Sequence, residues 1–479
     1  MSIEQTIDAI DYFSSALGAP LSTIQDVVLG LLHAKEDGEL FLERTDRDHV
    51  SWKDGRVNSA SQRVEQGFGL RGVSGDAVAY ASGNTLSLSE LKRAGKVLRA
   101  LPSGDMCSEV VSRVSLDALY DPQTYIAMPL TERIKILREI DAYARQKPGV
   151  TNVGISLTRM RQMVSIIRPD GRVAVDVRPL TLLTISVQRE KDGRREWSGS
   201  SIGGRAPIVN YIDSAFWQKE ADSADHKARV KLEAGACPAG RMPVVLGPGW
   251  SGVILHEAIG HPLEGDAARK GESVFRDSMG TCIASPLVTV VDDGTIALRR
   301  GSLRYDDEGT PTERTVLIDK GKLVSFMHDR QSARHYGVVS TGNGRRQSYQ
   351  HAPLVRMRNT FMLSGTDDPQ SIIEDTREGL YLPDMGGGQV DPISGKFVFE
   401  SPLAYLIKGG KITLPVKGAT LIGNAATVLM HVDRVGNDSA LDNGIGSCGK
   451  SGQTVPVGVG QPTFRITKEG VTVGGTDVG

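Results

Sequence analysis

At 479 residues the chain is too long for one ordinary hydrophobic core, so two domains are expected, with room for a third. Its 39% hydrophobic and 24% charged residues are those of a soluble globular protein, and a formal net charge of −1 disfavours a general nucleic-acid or anionic-membrane binder. The acidic start MSIEQTIDAIDYF has no basic n-region, no stretch approaches the ~18 apolar residues of a membrane span, and Cys107, Cys237, Cys282 and Cys448 form no CxxC pair, which together predict a cytoplasmic protein with free thiols or thiolate ligands.

In chain order, STIQDVVLGLLHAKEDG (22–38) opens on Ser22 and Thr23 and stops at a glycine, which predicts a helix. GELFLERTDRDHVSWKDGRV then reads as strands broken by polar turns, and QGFGLRGVSGDAVAYAS (66–82) as two strands about Ser74, Gly75 and Asp76. LSLSELKRAGKVLRAL and LTERIKILREIDAYARQK are amphipathic helices, the second with Ile134, Leu137, Ile140 and Ala144 on one face. Hairpins are expected through Pro169-Asp170-Gly171 and Lys191-Asp192-Gly193, and a helical pattern runs from Val209 to Glu233. The Gly, Pro and Ala of AGACPAGRMP (234–243) mark a boundary.

The fold class is therefore α+β. An N-terminal α/β domain (1–233) has an antiparallel sheet and flanking helices, and a C-terminal β-rich domain (234–479) carries two helix candidates, one at 254–266 and one near 369–380. Gly67 to Gly72 matches GxGxxG, but DAVAYA after it reads as strand, so glycines in a twisted sheet are the better explanation than a dinucleotide site.

The stretch ILHEAIGHPLEGD (254–266) holds His256 and His261, with Glu257 directly after the first. Histidines five apart lie about 140° apart on a regular helix and would not share a face. Gly260 and Pro262 flank His261, so either the helix ends near Gly260 and His261 swings back, or a π-type turn closes the gap. Both routes bring two imidazoles to one ion, with Glu257 placed to act as general base. A catalytic zinc site needs a third protein ligand. Spacing alone leaves Cys448, in the Gly-rich LDNGIGSCGKSGQTVPVGVGQP (441–462), level with the local carboxylates Glu264 and Asp266.

HEAIGHPLEGD follows the HExxxHxxxGD signature of the TldD/TldE (PmbA) metalloproteases. CPAGRMPVVLGPGWSGVILHEAIGH, SLRYDDEGTPTERTVLIDKGKL, STGNGRRQSY, DMGGGQVDPISGKFVFESPLAYLIKGGKITLPVKGATLIGN and CGKSGQTVPVGVGQP also resemble that family, as does QGFGLRGVSGDAVAYA in the first half. The resemblance covers essentially the whole chain. It implies Zn2+ held by His256, His261 and Cys448, Glu257 as catalytic base, and the catalytic side of a heterodimer with a TldE/PmbA-like subunit, since that subunit lacks the HExxxH residues. It also implies cleavage of unfolded or leader peptides, and an α/β domain followed by a β-rich one. A strand-rich protease for such substrates suggests binding by β-addition. A homo-oligomer is allowed when the chain is made alone. Pro262 departs from the family, standing where a glycine is expected.

Other residues are less telling. Asp266 is a candidate to orient a histidine, or a turn residue after Gly265. Arg345, Arg346 and Tyr349 are candidates to stabilise an oxyanion, to bind peptide or to hold their loop. Asp306, Asp307 and Glu308 form an acidic turn that reads as a solvated loop at least as readily as a substrate contact. His328, His335, His351 and His431 show no ligand spacing. The rival functions are a zinc amidohydrolase acting on a modified peptide, and a regulatory protein linked to DNA gyrase. Balanced charge gives the second no support for direct DNA contact.

Overall fold

The computed structural model describes residues 9–105, 119–121 and 128–475; Cys107 lies outside them. The first half is built on one antiparallel sheet of six strands: β1 (Asp37–Lys53), β2 (Arg56–Ser74), β3 (Ala77–Gly83), β4 (Val150–Ile167), β5 (Val173–Lys191) and β6 (Arg194–Gly204), in the order β3-β2-β1-β4-β5-β6. Both expected hairpins are present, with Gly171 and Asp192-Gly193 at positive φ where the turns need it. The DRD segment at 46–48 does not interrupt β1. Its polar side chains find partners across the sheet, as Asp48 does in Arg159 (2.6 Å) and His49 in Thr158 (3.0 Å), and the only turn falls at Asp54-Gly55.

Among the described residues, helices α1 (Ala9–Leu17), α2 (Leu21–Leu32), α3 (Leu88–Ala94), α4 (Leu130–Arg145) and α5 (Ser214–Glu233) cover this sheet. Phe13, Ile24, Val28 and Leu91 pack on Leu40 and Leu42 at one end of β1, and Leu137, Ile140 and Trp217 pack on Val50 and Trp52 at the other. These β1 residues share one parity, so all the helices lie on one face. Phe41, of opposite parity, is buried with Val164, Ile166 and Tyr349, so the second half of the chain closes the other face at that end. No single helix among the described residues is long and apolar enough to cross a membrane.

The second half is strand-rich: among the described residues it has mixed sheets of six and seven strands, an antiparallel sheet of four and two short antiparallel pairs. The expected helix near 369–380 is shorter, Pro369–Glu374, and gives way to the strand Glu378–Leu382. A helix at Arg330–Tyr336 has no hydrophobic period to announce it. It is fixed by Asp329 accepting from Ser332 N at one end and by Gly337 at φ +66 at the other. The stretch 253–263 runs through the largest core, with Ile254, Leu255, Ala258 and Ile259 all buried.

Candidate metal centre

Val253–Leu255 form a single α turn, His256–Gly260 a π turn and His261–Leu263 a 3-10 turn. The His261 N–H donates to the His256 carbonyl, an i→i+5 bond. Of the two possible backbone paths, the π turn is the one present. His261 keeps helical angles (φ −60, ψ −44) even though Pro262 follows it. Gly260 permits this path, because a Cβ there would collide with the Met357 sulfur.

The π turn sets the two rings 5.2 Å apart, centroid to centroid. Cys448 arrives from the strand Ser447–Lys450, which pairs with Gln453–Pro456 through a tight turn whose Ser451 and Gly452 both have positive φ. One ligand atom from each of His256, His261 and Cys448 lies within 4.8 Å of the others, and Cys448 Sγ is 3.4 Å from His261 Nε2. Ligand atoms at Zn–N and Zn–S bond lengths in a tetrahedral site stand roughly 3.3–3.8 Å apart. His256 is 2% exposed, and both its ring nitrogens lack a hydrogen-bond partner. Buried polar atoms without partners are rare in a folded protein, so this donor set fits a metal ion.

The charges agree. Burial pushes the Cys448 thiol up, but the imidazoles of His256 and His261 outweigh it and hold the thiol well below its usual range. Burial likewise opposes charge on His261, yet Glu264 and Cys448 hold its pKa well above the ordinary value. The pair thus favours thiolate and imidazolium, and a divalent cation can take the place of the proton.

Glu264 falls outside the His256, His261 and Cys448 group. Its Oε2 lies 3.1 Å from His261 Nδ1, an arrangement that leaves Nε2 directed at Cys448. Lys450 then ties the two halves of the site together. Its Nζ donates to Glu264 (2.8 Å) and to both oxygens of Asp266 (2.8 and 2.9 Å). Burial raises the Glu264 carboxyl, but Lys450 and His261 hold it at about 2. The orienting carboxylate is therefore Glu264, and Asp266 anchors Lys450 instead. The signal in the sequence was the i,i+2 spacing of Cys448 and Lys450, which puts both on one face of a strand. Glu257 stands at the edge of the cluster, its Oε2 3.7 Å from His261 Nε2 and its side chain 22% exposed, more open than either histidine.

The loop residues lie elsewhere. Arg345 donates to Met357 O and Pro456 O within the second half, whereas Arg346 donates to Glu39 and Asp307 O and Tyr349 is buried against β1, so the last two join the two halves of the chain. Asp306, Asp307 and Glu308 are buried, not solvated; Arg178 pairs with Asp307 and Arg71 with Glu308. Among the described residues His328, His335, His351 and His431 join no metal-binding group.

The sequence matches three domain profiles of one family, described as PmbA/TldA metallopeptidase domain 1 (residues 38–101), central domain (124–232) and C-terminal domain (239–475). It is 44% identical to a metalloprotease TldD homolog of Haemophilus influenzae, over 89% of this chain and 91% of that one. The chain belongs to the PmbA/TldD metallopeptidase family. A zinc metalloprotease TldD homolog of Saccharolobus solfataricus is 33% identical over 56% of this chain and 59% of its own length. The fold matches TldE from Thermococcus kodakarensis with a TM-score of 0.77 and 17% identity, over 94% of this chain and 99% of that one. Its likeness to metalloprotease TldD homologs across nearly its whole length makes the protein a metalloprotease of the TldD type.

Proposed function

We propose that His256, His261 and Cys448 hold zinc, that Glu257 is the general base, and that the enzyme hydrolyses unfolded or leader peptides together with a TldE-like subunit. The observation that carries the metal assignment is His256, buried with two unpartnered ring nitrogens beside His261 and Cys448. When bound, zinc supplies Lewis acidity toward the scissile carbonyl and toward water. Glu257, at the open edge of the cluster, takes a proton from the attacking water and passes it to the leaving amine. Glu264 keeps His261 in one tautomer and orientation. A subunit of related fold is the proposed partner because a TldE shares this chain's architecture from end to end. Free Cys237, Cys282 and Cys448 suit the reducing cytoplasm.

The test is the zinc content of the purified chain beside His261→Ala and Cys448→Ala. About one zinc per chain in the parent, lost in both variants, is the expected result. Retention of parental affinity by Cys448→Ala would remove the cysteine from the ligand set.

A further inference from the structure

A chamber of about 640 Å³ lies between the N-terminal sheet and the outer face of the Cys448 hairpin. Seven arginines and three carboxylates line it, an excess of positive charge. Three of the arginines have carboxylate partners: Arg178 pairs with Asp176 and Asp307, Arg346 with Glu39, and Arg63 with Glu65.

Arg205, Arg300 and Arg345 are different. They are only 2%, 8% and 2% exposed. Arg205 donates to Pro179 O (3.1 Å), Arg300 to Gly446 O (2.6 Å) and Ser447 Oγ (3.2 Å), and Arg345 to Met357 O (2.5 Å) and Pro456 O (2.7 Å). None of these acceptors carries a charge. Arg205 Nε, Arg300 Nη1 and Arg345 Nε have no hydrogen-bond partner at all. Burial is the largest force on all three and lowers each; it brings Arg300 down to about 10 and Arg345 to about 9, although Asp442 draws Arg300 and Asp307 draws Arg345 the other way. A buried guanidinium with no carboxylate in direct contact is costly. Three of them on one chamber mark a place for an anion.

We propose that this chamber is a binding site for the carboxylate of a peptide, held by Arg205, Arg300 and Arg345. The planar fork of a guanidinium matches a carboxylate. The volume suits a ligand of many atoms better than a lone inorganic ion, and Gln347, Gln350 and Thr454 offer side chains that can bond to amides. The choice of a peptide over other carboxylates rests on the peptidase reading.

The chamber is separate from the metal centre. Side chains alternate along the hairpin, so Cys448 and Lys450 face the histidines while Ser447 and Thr454 line the chamber. The two sites are nonetheless linked mechanically. Arg300 holds one strand of the hairpin and Arg345 the other, so an occupant of the chamber steadies the strand that presents Cys448.

The test is a thermal-shift titration of the full zinc-loaded chain carrying Glu257→Gln, with mass spectrometry confirming that the peptides stay intact. Four probes are compared: tetra-alanine with a free C-terminus, its C-terminal amide, an amidated peptide with one glutamate, and inorganic phosphate. The expected result is saturable stabilisation by a carboxylate-bearing peptide and none by the neutral amide. The first and third probes distinguish a C-terminal carboxylate from a side-chain one. Arg205→Gln and Arg300→Gln are expected to weaken binding about 10- to 100-fold. Arg205→Lys keeps the charge and guards against misfolding, and it should bind more weakly than the parent because the fork is lost. Arg205→Met should leave the unliganded protein as stable as the parent or more so, since it removes an uncompensated charge. Equal shifts by acid and amide, stabilisation by phosphate alone, no shift with any probe, or undiminished binding in Arg205→Gln would each overturn the proposal. The readout is binding, so its failure is separate from any failure of the hydrolytic reading.

Discussion

Glu264 meets three demands at once: it accepts from His261, accepts from Lys450 and is 1% exposed. Glu264→Gln keeps the shape but loses the charge that Lys450 and His261 share. Groups in this position change metal affinity by about 10- to 100-fold, so a comparable loss is expected in competition with a chromophoric chelator. Unchanged affinity would mean that packing alone orients His261. Glu257→Gln should behave in the opposite way, retaining zinc while hydrolysis of an unfolded peptide falls by roughly 10²–10⁴. At this scale the sequence was only partly legible. His256, Glu257 and His261 stand out because they are adjacent. Cys448, 187 residues beyond His261, gained its place only from family resemblance. Glu264 and Lys450 were missed as a pair because their contact exists only once the hairpin has folded onto the turn.

Among the elements, the π turn is the most exposed to a single change. Gly260 packs with its hydrogen against Met357, which is fully buried. Gly260→Ala forces a methyl into that sulfur, and overpacking of this kind costs about 1–3 kcal/mol. The expected outcome is a lower denaturation midpoint together with weaker zinc retention, because the backbone that moves is the one that places His261. Combining it with Met357→Ala should give a smaller loss than the sum of the two, since the second change makes room for the first. Strict additivity would place the strain elsewhere. Elements of this sort reveal themselves unevenly. The Asp-Gly turns of the N-terminal sheet could be read because positive φ selects for glycine locally. The π turn was one of two open options, since five-residue spacing demands some departure from an α-helix without saying which. The helix Arg330–Tyr336 is only seven residues long, too short for a period to show.

For the molecule as a whole, the decisive feature is the buried ionic seam that joins the N-terminal sheet to the second half of the chain. Asp37, at the start of β1, accepts from Arg168 (2.7 Å) and from Arg330 (2.8 Å), and Glu39 holds Arg71 and Arg346. No sequence pattern could announce this, because YDDEGTP looks like a solvated turn until Arg71, Arg168 and Arg178 arrive from the N-terminal sheet and its turns, more than a hundred residues earlier. Burial raises the Asp37 carboxyl, but Arg168, Arg330 and Arg71 overcome it and hold the group far below the usual carboxylate range. In the unfolded chain the same group ionises near about 3.9. The native state therefore binds fewer protons than the unfolded state in acid. Stability from Asp37 is complete above about pH 5 and is lost progressively as the pH falls below about 4. Asp37→Asn removes the carboxylate that Arg168 and Arg330 share in the buried seam and should cost about 3–5 kcal/mol at neutral pH. The variant has no such group to protonate, so the gap between it and the parent should narrow by up to about 1.4 kcal/mol for each pH unit below about 4. Denaturant titrations of both proteins from pH 7 down to pH 3 measure this directly. Curves that stay parallel across that range would show that the seam is held by its other pairs, and that Asp37 contributes shape rather than charge.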